Sequence, residues 1–187
     1  MKITLFVSIS LLFLINFRAG VYCQEKQGEA IFEQPLLITS VGQSAEVQLA
    51  AVLAKKAGLA YNMLQAATHN DLQNVKTLVL VLGASLKGMG AAGLDMDKEK
   101  QRINLLVKEA SKRNIPILSM HLGGESRRGT LSDELTKEYL PFSKMVVVVK
   151  SGNHDGLFTK ICKEHDIPLI EVEKTAMAKD PFQKAFK

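Results

Sequence analysis

Short apolar runs alternate along the chain with longer stretches of helical periodicity. Leu36–Thr39, Thr77–Leu82, Ile115–Leu122, Met145–Val149 and Pro168–Val172 are mostly apolar and predict strands, with Ala60–Leu64 as a sixth, shorter run. Between them, Ala45–Ala57 has helical character and stops at Gly58, where a glycine C-cap is expected. Asp97–Arg113 places Ile103, Leu106, Val107 and Ala110 on one face of a helix. Ser132–Tyr139 predicts a shorter helix that ends before Pro141, and Asn153–His165 predicts another. The tail, Lys174–Phe186, adds a last helix with Pro181 at its first position.

A strand that faces water on one side alternates apolar and polar residues; a strand buried on both sides does not. Continuous apolar strands separated by helices therefore predict a parallel sheet covered on both faces. The expected fold class is α/β, a single three-layer αβα sandwich with a mostly parallel sheet. Flavodoxin-like and Rossmann-like strand orders are both open.

The amino terminus breaks this rhythm. Lys2 precedes a nearly unbroken apolar run from Ile3 to Phe17, which is short for a membrane span and fits a signal peptide over residues 1–23. Val21 and Cys23 suit the −3 and −1 positions of a cut before Gln24; a lipid anchor on Cys23 is the rival reading. Gln24–Gln34 is a polar leader, and residues 35–187 form the domain. The expectation is a periplasmic or secreted protein with no membrane span in the mature chain.

Composition narrows the chemistry. The chain carries a net charge of +5, and removing residues 1–23 takes away Lys2 and Arg18 and no anion, leaving +3. No Lys/Arg run exceeds two residues, so nucleic acid is not an expected partner. The mature chain keeps one cysteine, Cys162, which excludes an internal disulfide. His69, His121, His154 and His165 are scattered without HExxH or CxxC spacing, so no metal site is expected, and no cofactor is named by any motif.

Polar and glycine residues collect just after the strands. The first strand leads into Ser40-Val41-Gly42-Gln43-Ser44, the third into Gly83-Ala84-Ser85-Leu86-Lys87-Gly88, with Gly90 and Gly93 beyond, the fourth into Gly123-Gly124-Glu125-Ser126-Arg127-Arg128-Gly129, and the fifth into Lys150-Ser151-Gly152-Asn153. In a parallel sheet these loops share the carboxyl edge, where ligands bind. Ser40, Gln43, Ser44, Ser85, Lys87, Gly88, Gly123, Gly124, Arg127, Arg128 and Asn153 are the expected ligand-binding residues. An arginine pair grips a carboxylate or phosphate in forked fashion, and Ser44, Ser132 and Asn153 sit where helices begin. Each has a plainer reading. Ser44 and Ser132 serve as well as helix caps, Thr130 with Asp133 fits a capping box, and a histidine at a strand end is commonly a hydrogen-bonded core residue.

The segments Ile38–Ser44, Gly83–Gly93 and His121–Gly129, followed by Ser132-Asp133, resemble a family of small exported bacterial proteins classed as a domain of unknown function. The resemblance implies an exported bacterial protein and no assigned activity. Three readings follow from the residues. The first is a binding protein for a small anionic or polyhydroxylated ligand at the carboxyl edge of the sheet. The second is a hydrolase or transferase at that edge, with His121 as general base and Glu125 or Asp133 assisting; no GxSxG elbow supports it. The third is an envelope interaction module that docks a protein partner through the same loops.

Overall fold

The structure, a computed structural model, describes residues 30–187. The expected signal peptide and most of the polar leader lie outside the described residues. Six strands form one sheet: β1 (Leu36–Val41), β2 (Tyr61–Met63), β3 (Thr77–Leu82), β4 (Ile117–His121), β5 (Met145–Val149) and β6 (Leu169–Val172). Every neighbouring pair is parallel, in the order β2-β1-β3-β4-β5-β6. That is the flavodoxin-like order extended by one strand, which decides between the two orders left open by the sequence.

The apolar strands divide their side chains between two cores. Leu36, Ile38, Val79, Val81, Leu118, Met120 and Val147 pack on one face with Val47, Ala50, Leu53 and Ala54 of α1 (Glu46–Lys56) and with Phe182 near the chain end. Leu37, Leu78, Leu80, Leu82, Val146 and Val148 pack on the other, beneath three further helices. Continuous apolarity thus means burial on both faces, as the sequence pattern predicts.

After β3 the chain forms a short helix, α2 (Leu86–Ala91), where the sequence suggests only a glycine-rich loop. Ser85 caps it by accepting a hydrogen bond from the Gly88 amide at 3.0 Å. The face over the second core is built by α3 (Met96–Lys112), α4 (Thr130–Tyr139) and α5 (Leu157–Glu164). The Asp95 carboxylate caps α3, accepting from the Lys98 amide at 2.8 Å. The helix expected from Asn153 starts instead at Leu157, because Gly156 stands in the left-handed region (φ 74°) and residues 150–153 form a 3-10 turn. Asn153 still organises that start: its Oδ1 accepts from the Phe158 amide at 2.9 Å. The last helix, α6 (Lys179–Lys184), places Pro181 at its third residue rather than its first.

At the amino edge of the sheet the turns after α1 and α3 are short, using left-handed Gly58 (φ 70°) and Asn114 (φ 56°). The carboxyl edge is where the chain spends its irregular residues.

Candidate functional site

In a doubly wound sheet the natural binding crevice lies outside the carboxyl ends of the two strands where the order reverses. Here those strands are β1 and β3, and that crevice is closed. Val41 pairs with Leu82, and beyond the pair the two loops stay zipped. The Gly83 amide donates to Val41 O at 3.0 Å and the Ser85 amide to Gly42 O at 2.8 Å. Gly42 sits at φ 99°, and a Cβ there would lie 2.6 Å from Gly83 O, so only glycine lets the loops meet.

The β1 loop is also anchored from α3. Glu99 is fully buried, and its carboxylate accepts from the Gly42 amide at 2.8 Å, from Gln43 Nε2 at 3.1 and 3.2 Å, and from Arg102 Nε and Nη2 at 2.9 and 2.7 Å. The Arg102 guanidinium continues to the carbonyls of Ser40 at 2.6 Å and Ala67 at 2.5 Å. Gln43 and Ser40 are therefore part of a buried framework. Ser40 Oγ accepts from the Ser44 amide at 3.0 Å. This Glu99–Arg102 anchor escaped sequence reasoning. The only trace of it is a Glu and an Arg three apart on the otherwise amphipathic α3, a spacing shared by many solvent-exposed pairs.

The open space lies one strand along. A cleft of about 500 Å³ separates the segment after β3 from the segment after β4, lined by Ala84, Ser85, Leu86, Arg127, Arg128, Gly129, Thr130, Leu131 and Ser132. Gly129, at φ 135°, enters α4 with no side-chain cap, so the first amides of that helix carry no side-chain partner. The expected capping box does not form: Thr130 is the first helical residue, and Asp133 turns its carboxylate to Arg128. Ser132 sits inside the first turn, and its Oγ accepts from the Ala84 amide at 2.9 Å, tying the two walls together. Leu86 projects at the rim and is 71% exposed.

The two arginines diverge. Arg127 Nε donates to Glu46 Oε1 at 2.6 Å; the side chain is 39% exposed, and among the described residues its Nη groups meet no acceptor. Arg128 is 6% exposed and fully engaged. Its Nε and Nη2 donate to Asp133 at 2.6 and 3.1 Å, and its Nη1 and Nη2 to Asp155 at 3.0 and 2.8 Å. Nη1 also donates to the Gly152 carbonyl. The guanidinium carbon sits 5.7 Å from the Phe158 ring centroid. Arg128 is thus a clamp joining the β4 and β5 loops, with no donor free to grip an anion. Its hydrogen bonds hold the Asp155 carboxyl well below the ordinary value. Burial pushes the Asp133 carboxyl up, but the Arg128 hydrogen bond and charge outweigh it and leave it lowered.

Lys87 is exposed on α2 and does not line the cleft, so the expected convergence of Lys87, Arg127 and Arg128 reduces to Arg127 alone. Glu125 is exposed on the 3-10 turn Gly124–Arg127. Gly88 packs against the Gln43 carbonyl, and Gly124 holds a left-handed turn (φ 59°) whose carbonyl faces His121. Asn153 is buried between α5 and β6, donating to Thr159 Oγ1 and Glu171 Oε1 at 2.7 Å each.

His121 is buried at the end of β4. Its Nδ1 lies 3.0 Å from Leu82 O and its Nε2 3.0 Å from Gly124 O. Both ring nitrogens are directed at backbone carbonyls rather than at the cleft. Burial lowers its pKa, against those two carbonyls, which raise it. Phe158 packs on the ring with centroids 5.1 Å apart.

Beneath Arg127 lies a smaller polar cluster in which Ser44, expected from the sequence, meets Glu46, which the sequence did not single out. Glu46, the first residue of α1, is nearly buried. Its Oε1 would lie 3.1 Å from a Cβ on Gly123, and Ser44 Oγ 3.1 Å from one on Gly83, so the two strand-end glycines make room for this pair. Glu46 Oε2 and Ser44 Oγ are buried, face one another and have no well-formed hydrogen-bond partner.

The chain belongs to the family described as Domain of unknown function (DUF6305), which matches residues 33–186. No curated protein matches it. Among solved structures it is similar to a provisionally assigned lipolytic protein of the G-D-S-L family from Desulfitobacterium hafniense DCB-2, at 14% identity and TM-score 0.34, over 73% of this chain and 75% of that one. It is similar to AlinE4, an SGNH-hydrolase family esterase, at 14% identity and TM-score 0.31, over 81% and 79% of the two chains. A GDSL-like lipase from Bacteroides thetaiotaomicron VPI-5482 stands at 13% identity and TM-score 0.35, over 73% and 66%. Likeness this distant carries no chemistry across. Among the described residues no group of His, Cys, Asp or Glu could hold a metal ion, and no helix is long and apolar enough to cross a membrane.

Proposed function

We infer that the protein binds a small ligand bearing a carboxylate or phosphate in the cleft between the segments after β3 and β4. The observation that carries this reading is Arg127. Its side chain is fixed through Nε by Glu46, its Nη groups meet no acceptor among the described residues, and it lines the cleft together with Gly129 and Thr130 at the start of α4. An anion there gains charge-assisted hydrogen bonds of about 1.5–3 kcal/mol each and the positive end of a ten-residue helix, about 0.3–1 kcal/mol. Set against the cost of association, about 4 kcal/mol or more, a bare anion binds only in the millimolar range. A ligand that also covers Leu86 and Leu131 binds more tightly. The walls offer leucine and arginine rather than the amide and aromatic groups that grip sugars, so the anionic reading outweighs the polyhydroxylated one.

A hydrolase at this edge finds no support in His121, which is buried with both ring nitrogens directed at backbone carbonyls rather than at the cleft. A site outside the cytoplasm, in a mature chain beginning near Gln24, remains part of this reading on the strength of Lys2 and the Ile3–Phe17 run.

Calorimetric titration with phosphate, acetate and butyrate tests the reading, with Ser85→Asp as the companion variant. Aspartate keeps the α2 cap and puts a negative charge in the cleft. Saturable binding to the native chain, tighter for butyrate than acetate and lost in Ser85→Asp, is expected. Equal binding in both proteins would place the anion elsewhere.

A further inference from the structure

Glu46 is the unusual member of the carboxyl edge. It is a nearly buried carboxylate with one oxygen on Arg127 at 2.6 Å and the other without a well-formed partner, next to a fully buried serine hydroxyl in the same condition. Arg127 is the bridge between this enclosed pair and the open cleft, since its Nε faces Glu46 and the side chain lines the cleft wall. A ligand anion at the Nη groups therefore shares one guanidinium with a buried carboxylate.

We propose that anion capture in the cleft is coupled to uptake of one proton by Glu46, at Oε2. The proposal rests on the anion-binding reading above. The proton comes from solvent, and no covalent bond to the ligand forms or breaks. Two negative groups on one arginine disfavour each other, and protonating the buried one removes the repulsion. The neutral carboxyl can donate to Ser44 Oγ, where the ionised one accepts from the Ser44 hydroxyl, so the pair stays compatible in both protonation states.

The surroundings leave Glu46 as the group that answers. The β1 loop presents Ser44 and the end of β3 presents Gly83. β4 and its turn present Gly123, Arg127, the exposed Glu125 and, further back, His121, whose titration feels Glu46. Along α1, the turn Thr175–Ala178 and α6 bring Lys179, Asp180 and Lys184, of which Lys179 and Asp180 pair at 3.2 Å. In the free site, burial pushes the Glu46 carboxyl up, while the Ser44 hydroxyl and Arg127 pull it down further, so it stands below its ordinary value and is ionised near neutrality.

The sign follows from linkage. A bound anion raises the Glu46 pKa, so by reciprocity a proton on Glu46 tightens anion binding. Affinity rises as pH falls through the pKa of the complex, by at most about tenfold per pH unit for one proton, and levels off below the pKa of the free site.

The experiment uses sulfate, whose charge stays fixed over the working range, and follows the Glu46 side-chain carboxyl carbon by NMR from about pH 3 to 7, with and without saturating sulfate. Arg127 Nε and the α4 amides report occupancy. The expected result is saturable sulfate binding with the Glu46 midpoint moved up by about one pH unit, a tenfold change in affinity. Glu46→Gln should bind sulfate with a dependence on pH weaker than that of the native chain over that range, the remainder coming from Asp133 and Asp155. Sulfate that binds while the Glu46 midpoint stays in place overturns the coupling and leaves the anion site standing. Sulfate that fails to perturb Arg127 or α4 at any pH overturns both.

Discussion

Replacing Glu99 by alanine should damage the fold more than any change in the cleft. The side chain is fully buried, and Arg102, its partner, is 8% exposed. Removal leaves a buried guanidinium with carbonyl partners only. It also strips the Gly42 amide and the Gln43 side-chain amide of the acceptor they share. Breaking one half of a buried ion pair costs about 3–5 kcal/mol, because the other charge stays behind uncompensated. A domain of this size has roughly 5–15 kcal/mol in all. At about 2–4 °C per kcal/mol the melting temperature should fall by about 6–20 °C. Urea unfolding followed by far-UV circular dichroism measures the loss directly, with the slope m testing that both proteins unfold in one step. Glu99→Gln keeps the shape and loses the charge, and it should fall between the two. A loss under about 1 kcal/mol for Glu99→Ala would refute the reasoning, since it would mean that Arg102 finds water or another acceptor and that the β1 loop needs no anchor.

Arg128→Ala should cost about 2–4 kcal/mol, less than a fully enclosed pair because Asp155 is half in solvent, and thermal melting would show it. The same clamp sets an acid limit. Asp133 and Asp155 have folded pKa values below the unfolded range near 4, so their contribution is present above that range and lost as pH falls through the lowered values. Native stability should therefore drop more steeply in acid than that of Arg128→Ala, in melts taken from about pH 6 to pH 2. Lys87→Ala should change anion affinity by less than about threefold, because an exposed charge outside the cleft acts only through screened solvent, and calorimetry would register it. Intact mass of the mature protein should correspond to a chain starting near Gln24, whereas a diacylglycerol mass on Cys23 would replace cleavage with lipid anchoring.

Much of the architecture was legible because burial on two faces leaves a plain mark. Thr77–Leu82 and Met145–Val149 appear as strands to the residue, since a strand with no polar face has one environment. α2 was not legible: Leu86-Lys87-Gly88-Met89-Gly90-Ala91 has two glycines and no apolar face. It is helical because Ser85 caps it and Gly88 allows it to lie against the Gln43 carbonyl. The carboxyl edge was correctly read as the irregular one, but the roles of its residues depend on partners distant in sequence. Arg127 and Arg128 are adjacent in the chain, and one faces Glu46, 81 residues away, while the other closes on Asp133 and Asp155. Nothing local distinguishes them. Serine at a loop end likewise reads as a cap or a ligand contact, and Ser44 caps no helix and lies enclosed beside Glu46.

The central claim is that the cleft beside Arg127 and the start of α4 receives an anion. A titration of the isotope-labelled chain with phosphate, read as shifts of backbone amides and of arginine Nε signals, tests it most directly. The account predicts saturable shifts at Thr130, Leu131, Ser132 and Arg127 Nε, with Arg128 Nε nearly still because its donors are already taken. Shifts centred on Arg128, or on residues away from the cleft, or a linear response without saturation at these four groups, would contradict it.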